Sequence, residues 1–347
     1  MSSTPPSGTS SRQSTRSSRT PHEDKLVLPL HDDLKDSDPH LELVDTHCHI
    51  HSTFQTYKDK YPDGKLADIR TFVSALLQAD GSNKLAACVD VYCEGSDMDH
   101  WASTLAALSD FPDLDYRFVA GAHPHEAKNY SDELERKFLE AHKHPRCVGW
   151  GEIGLDYHYD NSPRDVQQEV LRRQLRTALA SDKNKAITIH TREADDDIVR
   201  ILKEELPREQ HIHIHCYTDS PECAASLLAH FPNLFIGITG VITYATNANT
   251  SQVVRNLGAT CSPSDPSGLR ILFETDAPYM PPANMANKQL GMTSKQRFPF
   301  AHGGVLPWTA EFVVKVLNEG KGDDDDKWTT VGVLKQAREN ARRCYGV

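Results

Sequence analysis

Short apolar runs rich in β-branched residues recur along the chain, and between them lie stretches whose apolar positions repeat at helical spacing. Eight such runs stand out: LELVDTHCH (41–49), LAACVDVYC (85–93), YRFVAGAHP (116–124), RCVGWGEIG (146–154), AITIHT (186–191), HIHIHCY (211–217), LFIGITG (234–240) and LRILFETD (269–276). The intervening stretches include LADIRTFVSALLQA, SDELERKFLEAHK, RDVQQEVLRRQLRTALASD and DDDIVRILKEEL, each long enough for an amphipathic helix. Strands joined by helical crossovers form a parallel sheet, and eight βα repeats close a TIM-type (β/α)₈ barrel of about 250 residues.

The pattern changes at both ends. Residues 1–40 open with MSSTPPSGTSSRQSTRSSRTPH, rich in Ser, Thr, Pro and Arg, and are expected to form a disordered tail, with the barrel domain over 41–347. After the eighth run, the segment 277–306 carries Pro, Asn and Gly and is longer than a routine βα loop; 280–306 reads as an insertion forming a lid or wall over the barrel mouth. A helix follows at WTAEFVVKVLNE, KGDDDDK (321–327) is a solvated loop, and WTTVGVLKQARENARRCYG is a final helix.

Composition narrows the function classes. No apolar run approaches the roughly 18 residues of a membrane span, so no membrane role is expected. The eight cysteines are scattered without a C-x-x-C pair, which fits reduced thiols and a cytoplasmic, or else nuclear, setting. A net charge of −11 argues against a broad basic footprint for nucleic acid. A local one remains open, because the insertion carries Lys288, Lys295, Arg297 and His302 with no acid between them.

The chemistry gathers at the ends of the runs. His47 and His49 end the first with period-2 spacing, Glu152 lies between glycines near the end of the fourth, His190 ends the fifth, His215 the sixth and Asp276 the eighth. Each alone has a bland reading as a loop-proximal polar residue. Together, four imidazoles and two carboxylates fall at the C-terminal ends of five expected strands, where TIM barrels assemble their sites. Six ligands exceed one closed tetrahedral zinc site and suit two divalent ions sharing a bridging carboxylate. Glu152 is the expected bridge. His47, His49 and Asp276 would hold one ion and His190 and His215 the other, with an activated water between them and Asp276 as general base. Four imidazoles favour zinc, while phosphodiester chemistry and two carboxylates also suit manganese or magnesium.

Neighbouring residues carry alternatives. His123, and less so His125, could touch a substrate phosphate or serve a structural role. Arg192 is either a phosphate clamp or the partner of an acid such as Glu193. Glu274 and Asp156 are placed to orient the ligands. His213, alternating with His215, lies a layer deeper in the core, while Cys48 and Cys216 point away from the ligand face.

VDTHCHI, GAHPHE, GEIGLDYH, HTREA, HCYTD and ETDAPYM, in this order, resemble the TatD-type metal-dependent deoxyribonucleases of the amidohydrolase-like superfamily. The likeness runs from about residue 41 to ENARRCYG and implies the six-ligand, two-metal site and hydrolysis of DNA phosphodiester bonds. One region departs from the family. Where many members carry Arg-Asn-Glu-Pro after the last motif, this chain reads MANKQLGMTSKQRFPFAHGGVLPW, similar to a fungal branch, and Arg297 is left as a substrate-binding candidate. Two other functions stay open: a hydrolase of a small phosphoester, lactone or amide, and an interaction protein on the same fold.

Overall fold

The computed structural model describes residues 19–36 and 41–347. Eight strands, β1 (Leu43–Cys48), β2 (Leu85–Tyr92), β3 (Asp115–Ala120), β4 (Cys147–Asp156), β5 (Ala186–Arg192), β6 (Ile212–Ile214), β7 (Leu234–Ile238) and β8 (Ile271–Phe273), pair in parallel in sequence order. Side chains of a strand alternate between its two faces, and Ile187, Ile189, Ile212, Ile214, Ile236 and Ile238 are all buried on one face, with Thr188 and His213 buried on the other. All eight strands fall inside the expected runs or within two residues at an edge. β6 and β8 are shorter, so His215 and Asp276 sit just past their ends.

The barrel closes between β8 and β1 through a seam of mixed bonds. Thr46 Oγ1 donates to Phe273 O (3.1 Å), Thr275 N to the buried Asp45 Oδ1 (2.9 Å), Asp276 N to His47 O (2.9 Å) and His49 N to Ala277 O (3.0 Å). Residues 47, 49 and 276 are thus fixed by the closure itself.

Helices α1 (Ile50–Lys60), α2 (Ile69–Leu77), α3 (Trp101–Leu108), α4 (Asp132–His142), α5 (Arg164–Asp182), α6 (Asp195–Glu205), α7 (Pro221–His230), α8 (Asn249–Gly258), α9 (Leu306–Leu317) and α10 (Thr330–Tyr345) surround it. Side-chain caps set several starts: Ser131, Ser220 and Thr329 each accept an N–H of the first turn, and Asp68 with Thr71 forms a capping box. Gly346, at φ 74°, ends α10 in the left-handed conformation. The 321–327 segment is a loop, and its acids are exposed.

The disordered tail expected over 1–40 does not extend over its described residues. Residues 1–18 and 37–40 lie outside the described ones, but 21–34 form a strap against the barrel. In this strap Leu26, Leu28 and Leu34 are buried while Val27 and Pro29 face outward. His31 N donates to Asn83 Oδ1 (2.9 Å), Leu30 N to Gly81 O (3.0 Å) and Tyr61 Oη to Pro21 O (3.1 Å). The Ser/Thr/Arg-rich first half masks this apolar alternation when the forty residues are averaged.

The insertion also differs from a lid. Its first residues do wall the mouth: Tyr244 Oη donates to Pro281 O (3.0 Å) and Ala283 N to Thr243 Oγ1 (2.7 Å). The remainder docks on the strap, with Met285, Leu290, Met292 and Phe300 buried and Arg297 N donating to Arg19 O (3.1 Å). His302 belongs to no cationic patch. It is buried against Leu26 O (Nε2, 3.0 Å), and burial pushes its imidazole down to about 4.

Candidate metal centre

Glu152 reaches the barrel axis because β4 bulges. Between Trp150↔Ile187 and Ile153↔Ile189, β4 advances one residue more than β5, which re-aims the side chain. Only glycine fits on either side. Gly151 and Gly154 have φ of 155° and 156°, and a Cβ at Gly154 would lie 1.8 Å from His190 O. The close backbone approach expected from these glycines is therefore what brings Glu152 and His190 together.

Around this carboxylate stand four imidazoles. Glu152 Oε1 lies 2.8 Å from His190 Nδ1, 2.7 Å from His215 Nε2 and 3.4 Å from His123 Nε2, while Oε2 lies 3.3 Å from His47 Nε2. Asp276 Oδ1 is 3.4 Å from His49 Nε2 and 3.7 Å from His47 Nε2. The six residues expected as ligands thus meet in one place, and His123 joins them beside Glu152. The sequence left His123 between a contact to substrate phosphate and a structural role; its place after β3, where GAHPHE leaves the barrel, was the available signal that it could join the donor set.

The donors fall into three overlapping groups, His47/Glu152/His215, His47/His49/Asp276 and His123/Glu152/His190, with the atoms of each within 4.8 Å of one another. The electrostatics suit a cation. Burial alone would raise Glu152, but His215, His123 and His190 hold it well below the usual carboxylate range. Burial would lower His190 and His49, yet Asp156 with Glu152 in one case, and Asp276 in the other, lift them to about 9. His47 goes the other way, to about 3, because burial and its stacked neighbour His215 outweigh the carboxylates. Both nitrogens of His47, and Nδ1 of His215, are buried without a hydrogen-bond partner. Such nitrogens are costly, and a divalent ion among these carboxylates would satisfy His47 Nε2, which lies 3.3 Å from Glu152 and 3.7 Å from Asp276; the donor set fits the group.

Second carboxylates stand behind the imidazoles. Asp156, buried at the end of β4, lies 3.3 Å from His190 Nε2 and 2.9 Å from His125 Nε2 through Oδ2, while Oδ1 accepts the N–H groups of His158 and Tyr159 (2.9 Å each). Glu274 Oε1 is 3.9 Å from His215 Nδ1. His125 therefore meets Asp156 rather than the cluster.

A cavity of about 960 Å³ opens from the cluster toward the loops after β5, β6 and β7, lined by His190, His215, Asp276 and Met280, with Arg192 among the flanking residues. Glu193 pairs with His158 (2.6 Å), which leaves the Arg192 guanidinium over the Tyr159 ring at 4.9 Å, without a carboxylate partner among the described residues. Arg297 is elsewhere. Its guanidinium donates to the carbonyls of Ser294 and Gln296, and neither it nor Lys288 or Lys295 lines the cavity. The eight cysteines are free thiols, and no helix of the described residues is long and apolar enough to cross a membrane.

A family model described as "TatD related DNase" matches residues 44–346. The human protein named 3'-5' RNA nuclease TATDN2 is 31% identical over 317 residues, covering 89% of this chain but only 36% of that protein. The 3'-5' ssDNA/RNA exonuclease TatD of Erwinia tasmaniensis is 36% identical over 229 residues, 66% of this chain and 78% of its own length. Among solved structures, a hydrolase of the TatD family from Entamoeba histolytica superposes with a TM-score of 0.67 at 16% identity, covering 88% of this chain and 98% of that one.

Proposed function

Because the chain belongs to the TatD-related DNase family, we propose that it is a divalent-metal-dependent phosphodiesterase that shortens single-stranded nucleic acid, DNA first and RNA as an alternative, from an end. The observation that carries this reading is the convergence of His47, His49, His123, His190, His215 and Asp276 around Glu152 at the barrel mouth. His47, His49 and Asp276 would hold one ion and His190 and His215 the other, with Glu152 shared. Zinc, manganese or magnesium bound there supplies Lewis-acid polarisation of the phosphoryl group and a water acidic enough to attack at neutral pH.

The chain's own residues do the rest. Asp276, kept ionised by His49 and the other imidazoles despite its burial, is the proton acceptor at its carboxylate. Arg192, unpaired and held flat by Tyr159, meets a non-bridging phosphate oxygen. Asp156 and Glu274 orient the imidazoles. Tyr159 and Tyr279 are exposed rings in the loops after β4 and β8, and they offer faces on which unpaired bases can stack. The relatives' names, which specify 3'-5' action on RNA or on single-stranded DNA and RNA, support the same direction.

One observation favours a second reading. Glu193, Asp195, Asp196, Asp197 and Asp219 line the cavity with Arg192, so its far wall repels a long polyanion and suits a small phosphoester or lactone. One experiment separates the two. Metal analysis of the purified chain is paired with cleavage of 5'-labelled single strands, duplex and a small phosphodiester, after chelation and re-addition of each metal. Loss and metal-specific recovery of stepwise strand shortening is expected. Bound metal with turnover of the small ester alone would replace the nuclease with the second reading.

A further inference from the structure

Beneath the ligands lies a second buried polar group, of which Glu274 alone reaches a ligand. His213, on β6 one layer below His215, is completely buried, as is Glu274. Its Nδ1 is 2.8 Å from the hydroxyl of Tyr345, at the end of α10, and that hydroxyl is also 2.7 Å from Thr188 Oγ1 of β5. On its other side, His213 Nε2 lies 2.9 Å from Glu274 Oε2, but out of line for a hydrogen bond. The other oxygen of Glu274 accepts the N–H of Cys216 and faces His215 Nδ1 at 3.9 Å. His215 Nε2 in turn points at Glu152 (2.7 Å).

The arrangement is built for these side chains. A Cβ at Gly237 would come within 2.5 Å of both Glu274 Oε1 and His213 Nε2, so β7 must carry glycine there. Apolar residues of the same volume would stabilise the barrel floor at least as well, since burying polar groups gains little even when they are paired. Stability alone therefore does not account for the group. The His213–Glu274 contact does not align itself, and the aligned side-chain hydrogen bond of the His213 ring is the one with Tyr345.

We propose that Tyr345 is a positioning residue for the metal site. Its hydroxyl fixes the His213 ring, the ring fixes the Glu274 carboxylate, and Glu274 sets His215 so that Nε2 faces the ion. The C-terminal helix thereby acts on a ligand it does not touch. This inference rests on the metal-dependent reading above.

Tyr345→Phe removes one oxygen and keeps the ring. Thr188→Val removes the other partner of the same hydroxyl and leaves the Tyr345–His213 bond. Zinc affinity is measured on the full chain by competition with a chromogenic chelator, alongside melting of the metal-free protein. Removing an orienting partner costs a metal site about 10- to 100-fold in affinity, and Tyr345→Phe, acting through two residues, should fall near about 10-fold. Thr188→Val should stay within about 2-fold although it too loses a buried hydrogen bond, one where Tyr345→Phe loses two, and melts lower. In the wild-type chain, imidazole ¹⁵N resonances of His213 should shift when zinc is added, a readout that needs no variant to fold. A wild-type chain that binds no zinc would overturn the metal reading itself. Zinc binding with the two variants alike, or with His213 unmoved, would overturn the role of Tyr345 and leave the metal reading standing.

Discussion

Replacing Leu26 by alanine tests whether the strap over residues 21–34 is part of the fold. The side chain is fully buried and lies between His302, which holds the Leu26 carbonyl, and the rest of the strap core at Leu28 and Leu34. Truncating such a leucine loses its transfer free energy and leaves a cavity, together about 2–5 kcal/mol. A strap on the surface can collapse more easily than a barrel interior, so the lower half of that range, about 2–3 kcal/mol, is expected. Unfolding entropy of about 2.1 cal/mol/K per residue gives roughly 0.7 kcal/mol/K for a chain of 347 residues, and hence a fall in Tm of about 3–4 °C. The strap does not line the cavity, so kcat at 25 °C should be unchanged. Differential scanning calorimetry and initial rates on a short labelled strand measure both quantities. A Tm within 1 °C of wild type would show that the strap contributes nothing, and the tail would then extend through residue 40. Deleting residues 1–18, by contrast, should change neither quantity, on the strength of their composition.

Glu152→Ala should abolish retention of every ion at once, because the carboxylate contacts four imidazoles, whereas His190→Ala should weaken chiefly one; metal counting decides, and two ions kept at wild-type affinity would remove the shared-carboxylate assignment. Asp156→Asn can still accept the His158 and Tyr159 N–H groups but presents an NH₂ to His190 and His125, so metal affinity should fall about 10- to 100-fold without gross unfolding. Unaltered chelator competition would refute that role. His302 titrates near 4 when folded and near 6.5 when unfolded, so between these values the unfolded chain binds a proton that the folded one does not. Stability is therefore lost as pH falls through this window, at up to about 1.4 kcal/mol per pH unit. Urea midpoints of His302→Asn should decline less steeply than wild type from pH 6.5 to 4.5, and equal slopes would show that the imidazole is not held neutral.

The fold was legible because parallel strands buried on both faces need unbroken apolar runs, and helices between them need a different period. The convergence of the candidate donors was legible for a related reason: strand ends are where a barrel exposes chemistry, and a polar residue closing an apolar run marks such an end. What escaped the sequence was three-dimensional. Nothing in GAHPHE says that His123 turns toward Glu152 while His125 turns toward Asp156, since both follow β3 in a 3₁₀ turn. That Glu193 pairs with His158 and leaves the Arg192 guanidinium over the Tyr159 ring is likewise a matter of three dimensions. Arg297 and His302 looked like part of a basic patch because charge is countable in a sequence, whereas burial against Leu26 and local carbonyl caps are not. The strap was hidden by averaging: five residues, Leu26 to Leu30, carry an alternation that forty Ser-rich ones conceal.

The seam between β1 and β8 ties the chain's first strand to its last, and His47, His49 and Asp276 stand across it. A contact such as Thr275 to Asp45 joins residues 230 apart in sequence. An ion held there would be a clasp on the ring of eight strands, which closes only when β8 reaches β1. Metal uptake would then report completed folding, since an intermediate lacking β8 lacks Asp276 as well. The reverse follows by linkage: whatever binds only the closed ring slows its opening. Amide exchange at His49 and Asp276, whose N–H groups bridge the seam, should therefore slow on adding metal more than exchange at Ile189 or Ile236, deep in the ladders away from it. Loss of metal and loosening of the barrel would then be one equilibrium observed from its two ends.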